Sequence, residues 1–313
     1  HLINKECRVW IIKRITQKTK NMKEQDFINI IKKQIGSKFI GDDCAYLKEL
    51  GIVITQDSLV EDVHFKLNWC TPYQLGYKAV TVNISDILAS GAKPAYITIA
   101  LSLPSKTSPE FIDEFYKGAN SALRGAKIVG GDLTGADKVY ISITAIGTTE
   151  GRKISSRSNA KVGYAIITKG KFGESSAGLK ELMNNGNNTE LIRAHLEPQL
   201  EENFAFEIGT QIKTDYAMMD TSDGLAEALF QIAQASNVTI NSRYIDGIFG
   251  AEDYKLVAAV PKDFLPKLSE YEIIGEVIKK QDYTLKIGDK KYYNYNELDL
   301  YNHFGEEEWT NFH

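Results

Sequence analysis

Two aspartates, Asp220 and Asp223, stand three residues apart in AMMDTSDGL (217–225), just ahead of an apolar run. A capped helix start accounts for that spacing, and so does a bound cation, since hard dications take carboxylate oxygens. The same residue type recurs beside glycines and at the ends of β-rich runs. Asp43 lies in GDDCA (41–45), Asp57 in TQDSL (55–59), Asp86 in NISDI (83–87) and Asp132 in GGDLTG (130–135). A turn or a cap satisfies any one of these alone. Together they flank runs predicted to be buried, where unpaired charge is expensive. Basic partners or metal ions must balance them, and bases are sparse nearby, with Lys78, Arg157 and Lys161 able to approach only through the fold. A cation such as Mg²⁺ reverses the field of an acidic cleft, so nucleotide binding is expected to require a dication.

IVGGDLTG (128–135) reads as a glycine-rich turn or loop whose N–H groups lie open to an anion. GKFGESSAG (170–178) resembles a phosphate loop only superficially, because it lacks the Lys-Ser/Thr ending of a Walker motif. There is no HRD or DFG triplet, no HExxH pair among the five histidines, and no GxSxG elbow. Protein-kinase, zinc-hydrolase and serine-hydrolase chemistry are therefore disfavoured.

The elements that must position these acids alternate along the chain. Residues 51–60, 95–103 and 138–147 are rich in Ile, Val and Thr and read as strands. Residues 71–90 carry apolar side chains at helical spacing and stop at Gly91 and Pro94, and 108–126 open on Ser-Pro as an amphipathic helix. The polar stretch GRKISSRSNAKVG (151–163) reads as a surface link, placing a boundary near residue 150. Beyond it come a strand at YAIITKG, a helix after Asp223 and a hairpin at YTLKIGDKKYYNYN. SDILA (85–89) and SDGLA (222–226) echo one another, one in each half. The expected fold is two-domain α/β, with residues 22–150 and 151–313 as its halves and 1–21 as an extension.

At 313 residues, 43% hydrophobic and 25% charged, the chain is long enough for two cored domains. Its net charge of −4 offers no basic field to nucleic acid or membrane lipid. No apolar run spans a bilayer, and three scattered cysteines suit a reducing cytoplasm.

Seven motifs in order then resemble the thiamine-monophosphate kinase family, within the aminoimidazole ribonucleotide synthetase superfamily. They are GDDCAYL, TQDSLVEDVHF, YKAVTVNISDILASGAKP, IVGGDLTG, SRSNAKVGYAIITKGKFGESSAGL, MMDTSDGL and AEDYKL, spread over about Gly41 to Phe304. The resemblance implies a homodimer whose N-terminal mixed sheets form a barrel-like core, each beside a C-terminal α/β layer domain. It implies transfer of the γ-phosphoryl group of ATP onto thiamine monophosphate, with several Mg²⁺ ions. By matching position, Asp43, Thr55, Gln56, Asp57, Asp86, Asp132, Asp220 and Asp223 resemble metal ligands, with Asp57, Asp86 and Asp220 at the catalytic centre. Gly131, Asp132, Arg157 and Ser222 resemble nucleotide contacts, and His64, Glu252 and Tyr301 resemble contacts to the thiamine moiety.

Three departures stand out. Gln56 occupies a position where a hydroxyl residue is usual, Ala251 replaces a glycine, and the chain before Glu252 is shorter than the family pattern. The alternatives are a selenophosphate or aminoimidazole ribonucleotide synthetase, or a nucleotide-binding module without turnover. Cys44 does not match the reactive-cysteine context of the first.

Overall fold

The structure, a computed structural model, describes residues 24–298 and Leu300. Residues 1–21 and Tyr301 lie outside the described residues. Two units are distinguished, one of residues 1–40 and 301–313, in which helix α1 (Glu24–Ile35) is described, and one spanning Gly41–Leu300.

Two sheets organise Gly41–Leu300. The first holds β1 (Ala45–Leu47), β2 (Ile52–Val60), β3 (Lys93–Leu103), β4 (Lys127–Gly135) and β5 (Tyr140–Thr148), in the order β1-β2-β5-β3-β4. β3 and β4 run parallel and the other neighbours antiparallel. Alternation sets the faces: Ile141, Ile143 and Ala145 of β5 are buried, and their neighbours turn outward. The sheet is open, with β4 along one edge.

Helix α2 (Pro72–Ala89) begins at a capping box in which Thr71 and Gln74 exchange hydrogen bonds, with Pro72 in the first turn. Every residue from Leu75 to Ala89 except Asp86 is buried. A helix buried all round is core rather than surface, and α2 packs against β2, β3, β5 and the later strand β7 (Ala217–Asp220). Helix α3 (Pro109–Ser121) crosses α2 backbone to backbone. A Cβ on Gly118 would lie 1.8 Å from the Tyr73 carbonyl oxygen, and one on Gly76 would lie 2.0 Å from that of Phe115. α3 is shorter than the expected 108–126, because the chain turns at Arg124 and Gly125, both at positive φ.

The second sheet has the order β12-β11-β8-β10-β6-β9-β7. Its remaining strands are β6 (Ala165–Thr168), β8 (Thr239–Ser242), β9 (Leu256–Val260), β10 (Glu272–Ile278), β11 (Leu285–Ile287) and β12 (Lys290–Tyr292). Helices α4 (Glu174–Met183), α5 (Thr189–Leu196), α6 (Glu202–Gln211) and α7 (Leu225–Ala235) accompany it. One apolar cluster joins α2 and the first sheet to Ile167, Met218, Ala258 and Val260, and a second surrounds α7. The polar stretch after Gly151 is more than a surface link. Ser155 is buried there, its hydroxyl accepting from the Met218 N–H (2.7 Å) and donating to the Met218 carbonyl (3.2 Å).

Candidate metal and phosphate site

Three of the expected acids meet. Asp43 precedes β1, Asp86 lies near the end of α2 and Asp220 ends β7; one oxygen from each lies within 4.8 Å of the others. Each is held by a different neighbour. The Thr55 hydroxyl donates to Asp86 Oδ2 (2.5 Å), the Ser85 hydroxyl to Asp220 Oδ2 (2.6 Å), and Arg157 Nη2 to Asp43 Oδ1 (2.8 Å). Asp57 lies two residues beyond Thr55 on β2, hence on the same face, and its N–H donates to Asn83 Oδ1 (3.0 Å).

The electrostatics are unbalanced. Burial, then repulsion from Asp57, Asp220 and Asp43, pushes Asp86 well above the usual carboxylate range despite the Thr55 bond. Burial and Asp43 raise Asp220 to about 7, against the Ser85 bond. Crowded oxygen donors with so little opposing charge fit a hard dication such as Mg²⁺, which takes carboxylate and hydroxyl oxygens.

Among the described residues, Arg157 is the basic residue that reaches the acids. Its N–H donates to Asp42 Oδ1 (2.7 Å) and its carbonyl accepts from Ser236 Oγ (2.7 Å), fixing the turn that carries it. Its buried Nε has no hydrogen-bond partner among the described residues. An orphaned donor on a guanidinium calls for an anionic acceptor such as a phosphate oxygen. Lys161 instead pairs with Asp215 (3.2 Å), well exposed.

The other expected residues are arranged around this centre. Ser222 and Asp223, both half-buried, lead into α7. Glu227, which the sequence reading passed over, is buried one turn beyond Asp223; burial and Asp223 raise it to about 8. Its only sequence signal is the i,i+4 spacing from Asp223. The glycine-rich stretch read as a loop is the edge strand β4. Gly131 is required there because a Cβ would lie 1.8 Å from the Ile99 carbonyl oxygen of β3. Asp132 is exposed on that strand, outside the three-carboxylate set. The Gln56 side chain, next to Thr55 and so on the opposite face, bonds Ser142 (3.3 Å) and Thr144 (3.0 Å).

A second group forms on the other side of Ser222, whose carbonyl accepts from the Glu252 N–H (2.6 Å). Glu252 has φ 61° and sits in a loop tied to α4. The Ala251 N–H donates to Ser176 Oγ (2.9 Å), and Asp253 accepts from the N–H groups of Gly173 (2.5 Å) and Ser175 (3.0 Å). The superficial phosphate loop at 170–178 therefore has its helix N-terminus filled by the chain's own carboxylate. Buried Lys78 donates to Glu252 Oε2 (3.1 Å) and lies 3.4 Å from His195 Nε2. His195 Nδ1 meets Ser175 Oγ at 3.0 Å. Burial, then Lys78, depresses His195 to about 3, so its ring is neutral. His64 accepts the Val60 N–H on Nδ1 (3.0 Å) and lines a pocket with Phe65, Trp69, Lys78 and His195. The roles of Lys78 and His195 were hidden from sequence, since the two meet across 117 residues and Lys78 meets Glu252 across 174.

Residues 41–149 match the family model described as AIR synthase related protein, N-terminal domain. The thiamine-monophosphate kinase of Corynebacterium glutamicum is 33% identical over 86% of this chain and 90% of its own length. That of Aquifex aeolicus is 32% identical over 82% of this chain and 92% of its own. Among solved structures, AaThiL complexed with AMPPCP and TMP superposes with a TM-score of 0.81 at 29% identity, covering 91% of this chain and all (100%) of that one. The chain belongs to the thiamine-monophosphate kinase family.

Proposed function

We propose that the chain phosphorylates thiamine monophosphate with ATP, yielding thiamine diphosphate and ADP. Family membership supports this reading, as does a solved relative that holds AMPPCP, an ATP analogue, together with TMP. The observation that carries it is the convergence of Asp43, Asp86 and Asp220 beside an Arg157 whose Nε lacks a partner among the described residues. Asp43, Thr55, Asp57, Asp86, Asp220 and, from the flanks, Asp132 and Asp223 would hold Mg²⁺. Gln56 is left out, because its side chain is engaged on the opposite face. Bound there, Mg²⁺ supplies charge neutralisation across the polyphosphate.

The chain's own groups do the rest. Arg157 donates to a phosphate oxygen with its fixed fork, and Gly131, Asp132 and Ser222 border the nucleotide. The attacking oxygen belongs to a phosphate that is already anionic near neutral pH, so no residue need remove a proton. Direct in-line transfer then rests on orientation and on offsetting phosphate–phosphate repulsion. Glu252 places a carboxylate opposite the cationic thiazolium ring, and His64 closes that pocket's rim.

The quaternary reading is a homodimer. β4 is an edge strand with Val129 and Leu133 57% and 67% exposed, and such edges are normally covered. Pairing with a second copy would cover it and build a barrel-like core from two first sheets. Within each copy the two sheets would act as two lobes meeting near residue 150, in a cytoplasmic enzyme; no described helix is long and apolar enough to cross a membrane.

The test is product identification after incubation with ATP, Mg²⁺ and a panel of phosphorylated acceptors. Thiamine diphosphate and ADP in equal amounts are expected. ADP released without thiamine diphosphate, or with another acceptor preferred, overturns the proposal.

A further inference from the structure

One face of α2 grips both halves of the site. Lys78 and Ser85 are seven residues apart, hence on the same side of the helix and about 10 Å apart along its axis. Ser85 holds Asp220 of the carboxylate trio (2.6 Å), and Lys78 holds Glu252 (3.1 Å). Both anchoring residues are buried, and α2 is itself locked by its capping box and by core on every side. Glu252 needs such a hold, because it occupies a left-handed φ of 61° in a loop where its neighbours Ala251 and Asp253 are tied to α4. Lys78 takes only Oε2 of Glu252. His195 Nδ1 also approaches Oε2 (3.4 Å), no hydrogen bond to Oε1 forms among the described residues, and the side chain is 25% exposed.

We propose that Lys78 is a positioning residue for the phosphate acceptor, fixing Glu252 at a set distance along α2 from the Asp220 centre. It acts through Glu252, leaving Oε1 to meet the cationic end of the acceptor while the phosphate end reaches the carboxylates. The inference rests on the proposed function, since it assigns the acceptor to the Glu252 side.

The test is steady-state kinetics of Lys78→Met, Glu252→Gln and the double variant, with ATP and thiamine monophosphate varied separately. Lys78→Met is expected to raise the acceptor KM at least about tenfold while the ATP KM stays within about twofold. Glu252→Gln should do the same, and the double variant should be no worse than Glu252→Gln, because both changes remove one interaction. A merely structural lysine would move both KM values, or neither. If Lys78→Met leaves the half-buried Glu252 against too little charge to fold, the double variant carries the test. An acceptor KM equal to that of Glu252→Gln supports the proposal, and a further large rise overturns it. An unchanged acceptor KM in folded Lys78→Met also overturns it, without touching the assigned reaction. If the unmodified protein makes no thiamine diphosphate, both fall.

Discussion

The carboxylate trio and the Lys78–Glu252–His195 group are both fastened to α2, yet their charge balance is opposite. Among the described residues, Asp43, Asp86 and Asp220 face a single guanidinium, and burial with mutual repulsion pushes Asp86 and Asp220 upward. In the second group one carboxylate meets one ammonium and a neutral imidazole. Burial, the largest single influence, works to raise Glu252, but Lys78, His195 and His64 together outweigh it and the net shift is downward. A buried imbalance costs stability until charge arrives from outside, whereas a buried pair holds its own geometry. The first region is therefore built to receive ions, and the second to keep one side chain still.

The largest expected effect breaks the unbalanced side. Asp220→Asn should lower kcat by at least about 100-fold, because one arm of the metal seat is lost. In the presence of a chelator the same variant should melt at or above the temperature of the unmodified protein, since a repelled buried charge has gone. Turnover and thermal denaturation measured together decide it. A near-normal kcat in folded Asp220→Asn would mean that the trio does not serve the reaction.

A smaller effect is expected at Arg157, the cation paired with Asp43. Arg157→Met should raise the ATP KM by about tenfold or more and leave the acceptor KM nearly unchanged. Arg157→Lys should recover little, because an ammonium cannot bond Asp43 and a phosphate oxygen through one planar fork. Equal shifts in both KM values would remove the distinction between a nucleotide side and an acceptor side.

Much of this was legible in local pattern. Thr71, Pro72 and the apolar spacing announce α2, the Ile/Val/Thr runs announce β2, β3 and β5, and the recurrent aspartates announce a carboxylate cluster. What stayed hidden depends on distant partners. Gly131 looks like a loop glycine until the Ile99 carbonyl is brought against it. Ser155 looks like a linker residue until Met218 meets it, and His195 looks like an ordinary helix residue until Lys78 and Ser175 surround it. Residue type and spacing reveal which groups need balancing; only the chain's return path reveals which are balanced.

The smallest expected effect separates the two regions by the sign of their pH dependence. Without metal, Asp220 sits near 7 against an ordinary 3.8, so between those values the native state binds more protons than the unfolded chain. Its contribution therefore improves stability as pH falls through that window, and raised Asp86 acts in the same sense. His195 sits near 3 against an ordinary 6.5, so there the unfolded chain binds more protons. Its contribution is fully present above the ordinary value and is lost as pH falls below it, and the lowered Glu252 adds to that loss in more acid solution. Urea unfolding with a chelator, from about pH 7 to about pH 5, should give opposite changes in slope for two variants, each at most about 1.4 kcal/mol per pH unit. Asp220→Asn should make the protein lose stability more steeply on acidification. His195→Asn should make it lose less, whatever its stability at neutral pH. Parallel changes in the two variants would show that the regions do not differ in charge balance.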